Sequence, residues 1–306
     1  MSYRKGHEEE GKIKLIVLFP WCVQCPPMKR NIHIPTVSCV IILLLGSLSL
    51  AQDNAPPTTN PNLPTLWIVG DSTVHNSSGP MRGWGDVIAP LFDTSRINIV
   101  NKARGGRSSR TFITEGLWDD VTKNGKAGDF VIMQMGHNDG GPVSGDNRER
   151  GSLPGIGDES KEVTLNLEPR KGQTEVVHTY GWYMRKMIDD AKAKGMTAIV
   201  CSPVPRLPKA PVDAAAAPTS APTSYNLWAA EVAKSQGVGF IDLNTIVLSH
   251  YQGMTPEQLK TKYFTPADNT HFNADGAKLN AECVVEGLKK LSDCPLNGYL
   301  RKETTP

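Results

Sequence analysis

Short apolar runs alternate with stretches of helical period through most of this chain. The runs are Leu66-Trp67-Ile68-Val69, Ile97-Asn98-Ile99-Val100, Phe130 to Met135, Ala198-Ile199-Val200-Cys201 and Val238 to Asp242. Each has strand length, and their continuous apolar character suits strands covered on both faces. Between the third and fourth runs, Val176, Val177, Tyr180, Tyr183, Met184, Met187, Ile188 and Ala191 recur at three- and four-residue spacing, which predicts an amphipathic helix. Further helices are predicted over about 224–235 and 273–291. Repeated strand–helix alternation implies an α/β fold, three-layered α/β/α, with a central five-stranded parallel sheet. Two long loops, at about 140–172 and 203–222, interrupt it, and loops of that length are usually functional or mobile.

The first fifty residues break this pattern. Met28-Lys29-Arg30 opens a basic segment, an apolar run follows from Ile34 to Leu50, and Ser49-Leu50-Ala51 closes it ahead of polar Gln52-Asp53-Asn54. That succession reads as a secretory leader, with residues 1–27 lying upstream of a second plausible start at Met28. A retained membrane anchor is the alternative, but the run is short for a spanning helix and the small-x-small signature favours cleavage. The expected organisation is an extension plus leader over 1–51, a Pro/Thr/Asn-rich linker over 52–64, one domain over 65–294 and a tail over 295–306. The protein is expected to be secreted or periplasmic, with no stable membrane association after cleavage.

Composition narrows the function classes. With 39% hydrophobic residues, 21% charged residues and a net charge of +2, the chain is an ordinary globular protein, and nothing favours a nucleic-acid partner. Leader removal would take Cys22, Cys25 and Cys39, leaving Cys201, Cys283 and Cys294. In an oxidising compartment Cys283 and Cys294 could form a disulfide, whereas Cys201 sits in an apolar run and reads as a buried thiol. Gly6 to Lys12 mimics a phosphate-binding loop, but Ile13 stands where Ser or Thr is needed and no strand precedes it. Residues 52–306 contain no H-E-x-x-H or C-x-x-C, so neither a metal nor another cofactor is expected. There is also no G-x-S-x-G elbow.

In open parallel sheets, ligands bind beyond the carboxyl ends of the strands, so chemistry-bearing residues should directly follow the apolar runs. The first run is followed by Gly70-Asp71-Ser72-Thr73, where Ser72 could be a presented nucleophile or merely a helix cap. Gly105-Gly106 follows the second run, as a plain turn or as a close backbone approach to a substrate oxygen. After the third comes Gly136-His137-Asn138-Asp139, where Asn138 could form a turn or donate an N–H to an oxyanion. Asp268-Asn269-Thr270-His271 precedes the last helix. Its three-residue offset lets the carboxylate reach one ring nitrogen and leaves the other for a nucleophile. His75, His137, His178 and His250 lack a carboxylate so placed and read as surface or supporting residues.

These four blocks, in this order, resemble the SGNH hydrolase superfamily, also called the GDSL esterases. Together with Arg82-Gly83-Trp84-Gly85 and Gly105 to Arg110, they look like the rhamnogalacturonan acetylesterase family within it. The resemblance spans about 65–291. It implies a flavodoxin-like fold and a Ser72–His271–Asp268 catalytic set, with an oxyanion hole of Ser72, Gly106 and Asn138. The substrate it implies is an acetylated polysaccharide of pectic type. Trp84 could stack on a sugar or belong to the core, and Arg82 and Arg107 could contact an acidic sugar or lie solvated. A different short-chain esterase and a non-catalytic glycan-binding module are the alternatives. Retention of the full Ser–His–Asp set argues against the second. The 140–172 segment has no place in the resemblance.

Overall fold

A computed structural model of the chain describes residues 59–212 and 224–302. The leader, its cleavage site and most of the linker lie outside the described residues. The five apolar runs form strands β1 (Thr65–Gly70), β2 (Asn98–Asn101), β3 (Phe130–Gln134), β6 (Thr197–Cys201) and β7 (Gly239–Ile241). They pair in parallel in the order β2-β1-β3-β6-β7. The order reverses direction between β1 and β3, and it is beyond this switch point that sheets of this topology place their ligands.

Alternate residues of each strand feed opposite cores, as the period of two requires. Leu66, Ile68, Ile132, Ile199 and Ile241 pack beneath α1 (Trp84–Val87), α6 (Leu243–His250), α7 (Pro256–Tyr263) and α8 (Ala274–Lys289). Trp67, Val69, Val131, Met133 and Val200 pack beneath α2 (Ser109–Thr114), α3 (Leu117–Asn124), α4 (Tyr180–Ala193) and α5 (Ser224–Gln236). A central parallel sheet between two helical layers is the expected fold class. Among the described residues no helix is long and apolar enough to cross a membrane.

Three details differ from the sequence reading. Val176 and Val177 do not start a helix; they lie in β5 (Thr174–His178), antiparallel to β4 (Ser160–Thr164). The helix begins only after Thr179, whose hydroxyl accepts the N–H of Trp182 as an N-cap. This hairpin gives the 140–172 segment a small core of its own, Val163, Leu165 and Val177 against Val143 and Leu153.

The domain also extends past both expected edges. Asn60 and Asn98 exchange hydrogen bonds of 2.9 Å, which lays the end of the linker along β2. Pro295–Tyr299 forms a 3-10 turn that buries Leu296 completely, and Tyr299 accepts the N–H of Asp93 at 2.8 Å, so the segment expected as a tail belongs to the domain as far as Leu300.

Finally, Cys201, Cys283 and Cys294 are all free thiols. Cys283 faces the core from the middle of α8, and six residues of helix, about 9 Å of rise, separate it from Lys289. Cys294 lies beyond that end, as the N-cap of the terminal turn. Burial pushes the Cys283 thiol up to about 12, which disfavours the reactive thiolate.

Candidate active site

The turn after β1 is built around a buried carboxylate. Asp71 Oδ1 accepts both the backbone N–H and the hydroxyl of Thr73 at 2.8 Å, and its carbonyl accepts the N–H groups of Val74 and His75. Ser72, between them, points outward and stays half-exposed. A second line of bonds supports the turn from below. Gln134, the last residue of β3, donates to Thr73 Oγ1 at 2.6 Å and accepts the indole N–H of Trp84 at 2.9 Å. Gly83 makes this possible, because a Cβ there would lie 2.2 Å from the Val74 carbonyl. Trp84 is therefore wholly buried and braces the Ser72 turn; it offers no face to a sugar. Arg82 is exposed, with its Nη1 folded onto the Gly79 carbonyl at 3.0 Å and its backbone N–H bonded to Phe272.

The loop before α8 brings Asp268 and His271 to Ser72. Asp268 Oδ2 lies 2.6 Å from His271 Nδ1, and His271 Nε2 lies 2.8 Å from Ser72 Oγ. With Nδ1–H donated to the carboxylate, Nε2 of the neutral ring is left to accept the serine hydroxyl. Asp268 Oδ1 accepts the N–H groups of Thr270 and His271 at 2.7 and 2.8 Å, so one carboxylate fixes both ring and loop. Partial burial pushes the Asp268 carboxyl up, but the bonds from the His271 ring and the two backbone N–H groups outweigh it and hold the group below its ordinary range.

The remaining two blocks converge on the same place. Gly105 abuts the nucleophile: a Cβ on it would touch Ser72 Cβ at 3.6 Å. Gly106 follows with φ +80°, a conformation other residues rarely adopt. The backbone N–H groups of Ser72 and Gly106 bond to no acceptor among the described residues. Asn138 spends one side-chain N–H on the Arg107 carbonyl at 2.8 Å and keeps the second. Three donors without acceptors thus stand beside a hydroxyl that already faces a base. Arg107 itself pairs with Glu115 at 2.8 Å. Among the described residues no group of three or more His, Cys, Asp or Glu side chains is placed to hold a metal ion.

Sequence spacing missed Asp139, which joins the blocks to one another. Wholly buried, it accepts the N–H of Ser109 at 3.1 Å, the Ser109 hydroxyl, and the Ser152 hydroxyl at 3.2 Å. Burial pushes its carboxyl up to about 6 despite those bonds. Because the folded chain holds this proton more tightly, stability from Asp139 is full below about pH 4 and is lost as pH rises through about 6, some 3 kcal/mol in all. Asp139→Asn has no proton to lose. Its melting temperature relative to wild type should therefore climb by several degrees between pH 4 and 7, and a flat difference would refute the burial argument.

The other histidines stand apart from this chemistry. His75 Nδ1 pairs with Asp86 at 2.6 Å, a partner eleven residues on, and that hydrogen bond raises its pKa. His178 stacks on Trp182 with centroids 3.8 Å apart, and His250 bonds to Glu286. His137 lies beside Asn138 with Nε2 buried and unpartnered, and burial lowers its pKa.

Comparison with known proteins supplies the family. The model of the GDSL-like lipase/acylhydrolase family matches residues 68–279, from β1 into α8. A rhamnogalacturonan acetylesterase of Emericella nidulans is 31% identical over 224 residues, 73% of this chain and 84% of that protein. The rhamnogalacturonan acetylesterase RhgT of Bacillus subtilis is 27% identical over 250 residues, covering 77% of this chain and 93% of that one. The crystal structure of YxiM from Bacillus subtilis has a TM-score of 0.58 at 26% identity, covering 76% of this chain and 57% of that one. With the matched span enclosing every block of the site, the chain belongs to the GDSL-like lipase/acylhydrolase family, in its rhamnogalacturonan acetylesterase-like branch.

Proposed function

We propose that this carboxylic ester hydrolase is a secreted carbohydrate esterase that removes acetyl groups from a pectic, rhamnogalacturonan-like polysaccharide through an acetyl-serine intermediate. The observation that carries the reading is the line Asp268–His271–Ser72, with contacts of 2.6 and 2.8 Å, set beside three free N–H donors. His271 Nε2 takes the hydroxyl proton as Ser72 Oγ bonds to the acetyl carbon. The carbonyl electrons move onto oxygen, which the N–H groups of Ser72 and Gly106 and the Asn138 amide receive; one such donor is typically worth about 3 kcal/mol of barrier. Collapse breaks the bond to the sugar oxygen, which leaves with the proton from His271. Water, deprotonated by the same ring, then releases acetate and restores Ser72. Asp268 stays ionised throughout and stabilises the imidazolium.

Two features support a carbohydrate ester over a lipid one. The relatives at 31% and 27% identity carry the name rhamnogalacturonan acetylesterase. The surroundings of Gly106 are also strongly polar, with Arg107, Glu115, Asn147, Arg148 and Arg150 around a single cleft. Acetate release from a panel of acetylated rhamnogalacturonan, acetylated xylan and 4-nitrophenyl esters of increasing chain length tests the assignment. Rhamnogalacturonan should lead in kcat/KM, and acetyl should exceed butyryl and longer chains at least about tenfold. Preference for long acyl chains would sink it. Secretion is tested by mass spectrometry of exported protein, which should begin near Gln52; an exported form retaining residues 1–27 would exclude both the cleavage and the late start.

A further inference from the structure

The 140–172 segment, absent from the signature blocks, forms one wall of a cleft of about 330 Å³ whose opposite wall includes Gly106 and Arg107. That volume lies at the small end of ligand sites, suited to a single sugar unit. From the segment come Arg148 and Arg150, with Leu167 beside them and Thr111 behind. Three guanidinium groups therefore face one space. Their charge is poorly balanced. Glu115 is taken by Arg107, and Asp146 commits Oδ1 to the N–H groups of Arg148 and Glu149, leaving one carboxylate near Arg148 and Arg150. Glu149 is turned away, accepting N–H groups from Gly145, Asn166 and Leu167. No carboxylate among the described residues pairs with the side chain of Arg148 or Arg150. Burial, and then the neighbouring Arg148, lower the proton affinity of Arg150, and the charges of Asp146, Asp71 and Asp139 offset this only in part.

Position gives the cleft its meaning. Arg150 Nη1 donates to the Gly106 carbonyl at 3.1 Å, one peptide away from the N–H expected to receive the oxyanion. Only one of its five N–H donors is spent there, and Arg107 keeps a free Nη2. Planar forks with unspent donors match a carboxylate, which accepts two parallel bonds from one guanidinium. An acetyl carbonyl seated on Gly106 would place the neighbouring sugar over these arginines.

We propose that this cleft is a carboxylate subsite, in which Arg148 and Arg150, with Arg107, select acetylated chains that carry a free uronate beside the acetylated sugar. The proposal rests on the deacetylation reading above and adds the part of the substrate that the enzyme reads. It also places the reaction in a sequence: any methyl ester on that uronate must be hydrolysed first, because esterification removes the charge and blocks the bidentate fork.

The test uses one acetylated pectic oligosaccharide in two forms, with its uronates free or methyl-esterified, and acetylated xylan as a neutral comparison. Wild type at low salt should show kcat/KM at least about tenfold higher for the free acid, the scale of one charge-assisted hydrogen bond. The ratio should shrink in 0.5 M NaCl, because an open cleft is screened. Arg148 is exposed and its side chain holds no other residue, so Arg148→Gln should fold, which its melting temperature checks. That variant should narrow the ratio to roughly threefold or less, mainly through KM, and Arg148→Lys should restore part of it. Equal rates on both forms by wild type, or an unchanged ratio in Arg148→Gln, would overturn the subsite and leave deacetylation standing. Hydrolysis of acetylated xylan with neither pectic form touched would overturn both.

Discussion

Replacing Ser72 by alanine is expected to lower kcat at least about a thousandfold while the protein still folds. The hydroxyl is half-exposed and its only side-chain bond is the one to His271, so stability should change by no more than about 0.5 kcal/mol. His271→Ala should fall nearly as far, because the 2.8 Å contact leaves Ser72 no other base within reach. The double variant should be no slower than either single one, since members of such a set act as a unit. Asp268→Ala should lose less in kcat: it removes the ring's anchor and the stabiliser of the imidazolium, yet leaves both nucleophile and base. It should unsettle the loop as well, because the same carboxylate holds the N–H groups of Thr270 and His271. Steady-state kinetics on 4-nitrophenyl acetate check all four. Strict additivity of the Ser72 and His271 losses would mean that the two act separately, and the acyl-enzyme mechanism would fail.

The largest effect on stability is expected at Arg110, which is 1% exposed. Its guanidinium donates to Glu175 at 2.7 Å and to the carbonyls of Val143 and Gly151 at 2.8 Å. These bonds fasten the first part of the 140–172 segment, and the strand β5 that follows it, to α2. Arg110→Ala would leave the buried Gly151 carbonyl and the part-buried Val143 carbonyl without this donor, and an acidic side chain with only the half-exposed Arg170 for company. Breaking a buried pair in this way costs about 3–5 kcal/mol, or roughly 10 °C in Tm for a domain of this size. Arg110→Lys should recover only part, because an ammonium cannot reach three acceptors in the plane of a fork. Activity on polysaccharide should fall as well, since Arg150 and Ser152 flank the Gly151 carbonyl that Arg110 holds. A Tm within about 2 °C of wild type would show that the segment is fastened elsewhere.

Much of this architecture could be read from the chain itself. The sheet was legible because strands buried on both faces write uninterrupted apolar runs, and the residues after them fall at the ligand-binding edge by topology. The pairing of Asp268 with His271 was legible because it is local. What escaped depends on contacts between distant residues. Gln134 closes an apolar run and looks like a strand end, and its partners Thr73 and Trp84 lie 61 and 50 residues away. The sequence leaves Trp84 open between a sugar platform and the core, and the missing side chains of its glycine neighbours are what let it sink into the core. Val176 and Val177 happen to continue the helical period of α4 backwards, and only the Thr179 cap marks the break. The basic cleft draws Arg107 from one loop and Arg148 and Arg150 from another, a juxtaposition that no local pattern records.

Ser72 and His271 are separated by 199 residues, one in the turn just after the first strand and the other just ahead of the last helix. Their meeting closes almost the whole domain into one loop, the kind of long-range contact that forms late in folding because little rewards it until the intervening elements are in place. A growing chain therefore carries its serine for most of its length without a partner. On the proposed mechanism, ester hydrolysis begins only when α8 docks, so the first turnover should report completion of the fold, and a chain that has lost its final helix should be silent however much of the sheet survives.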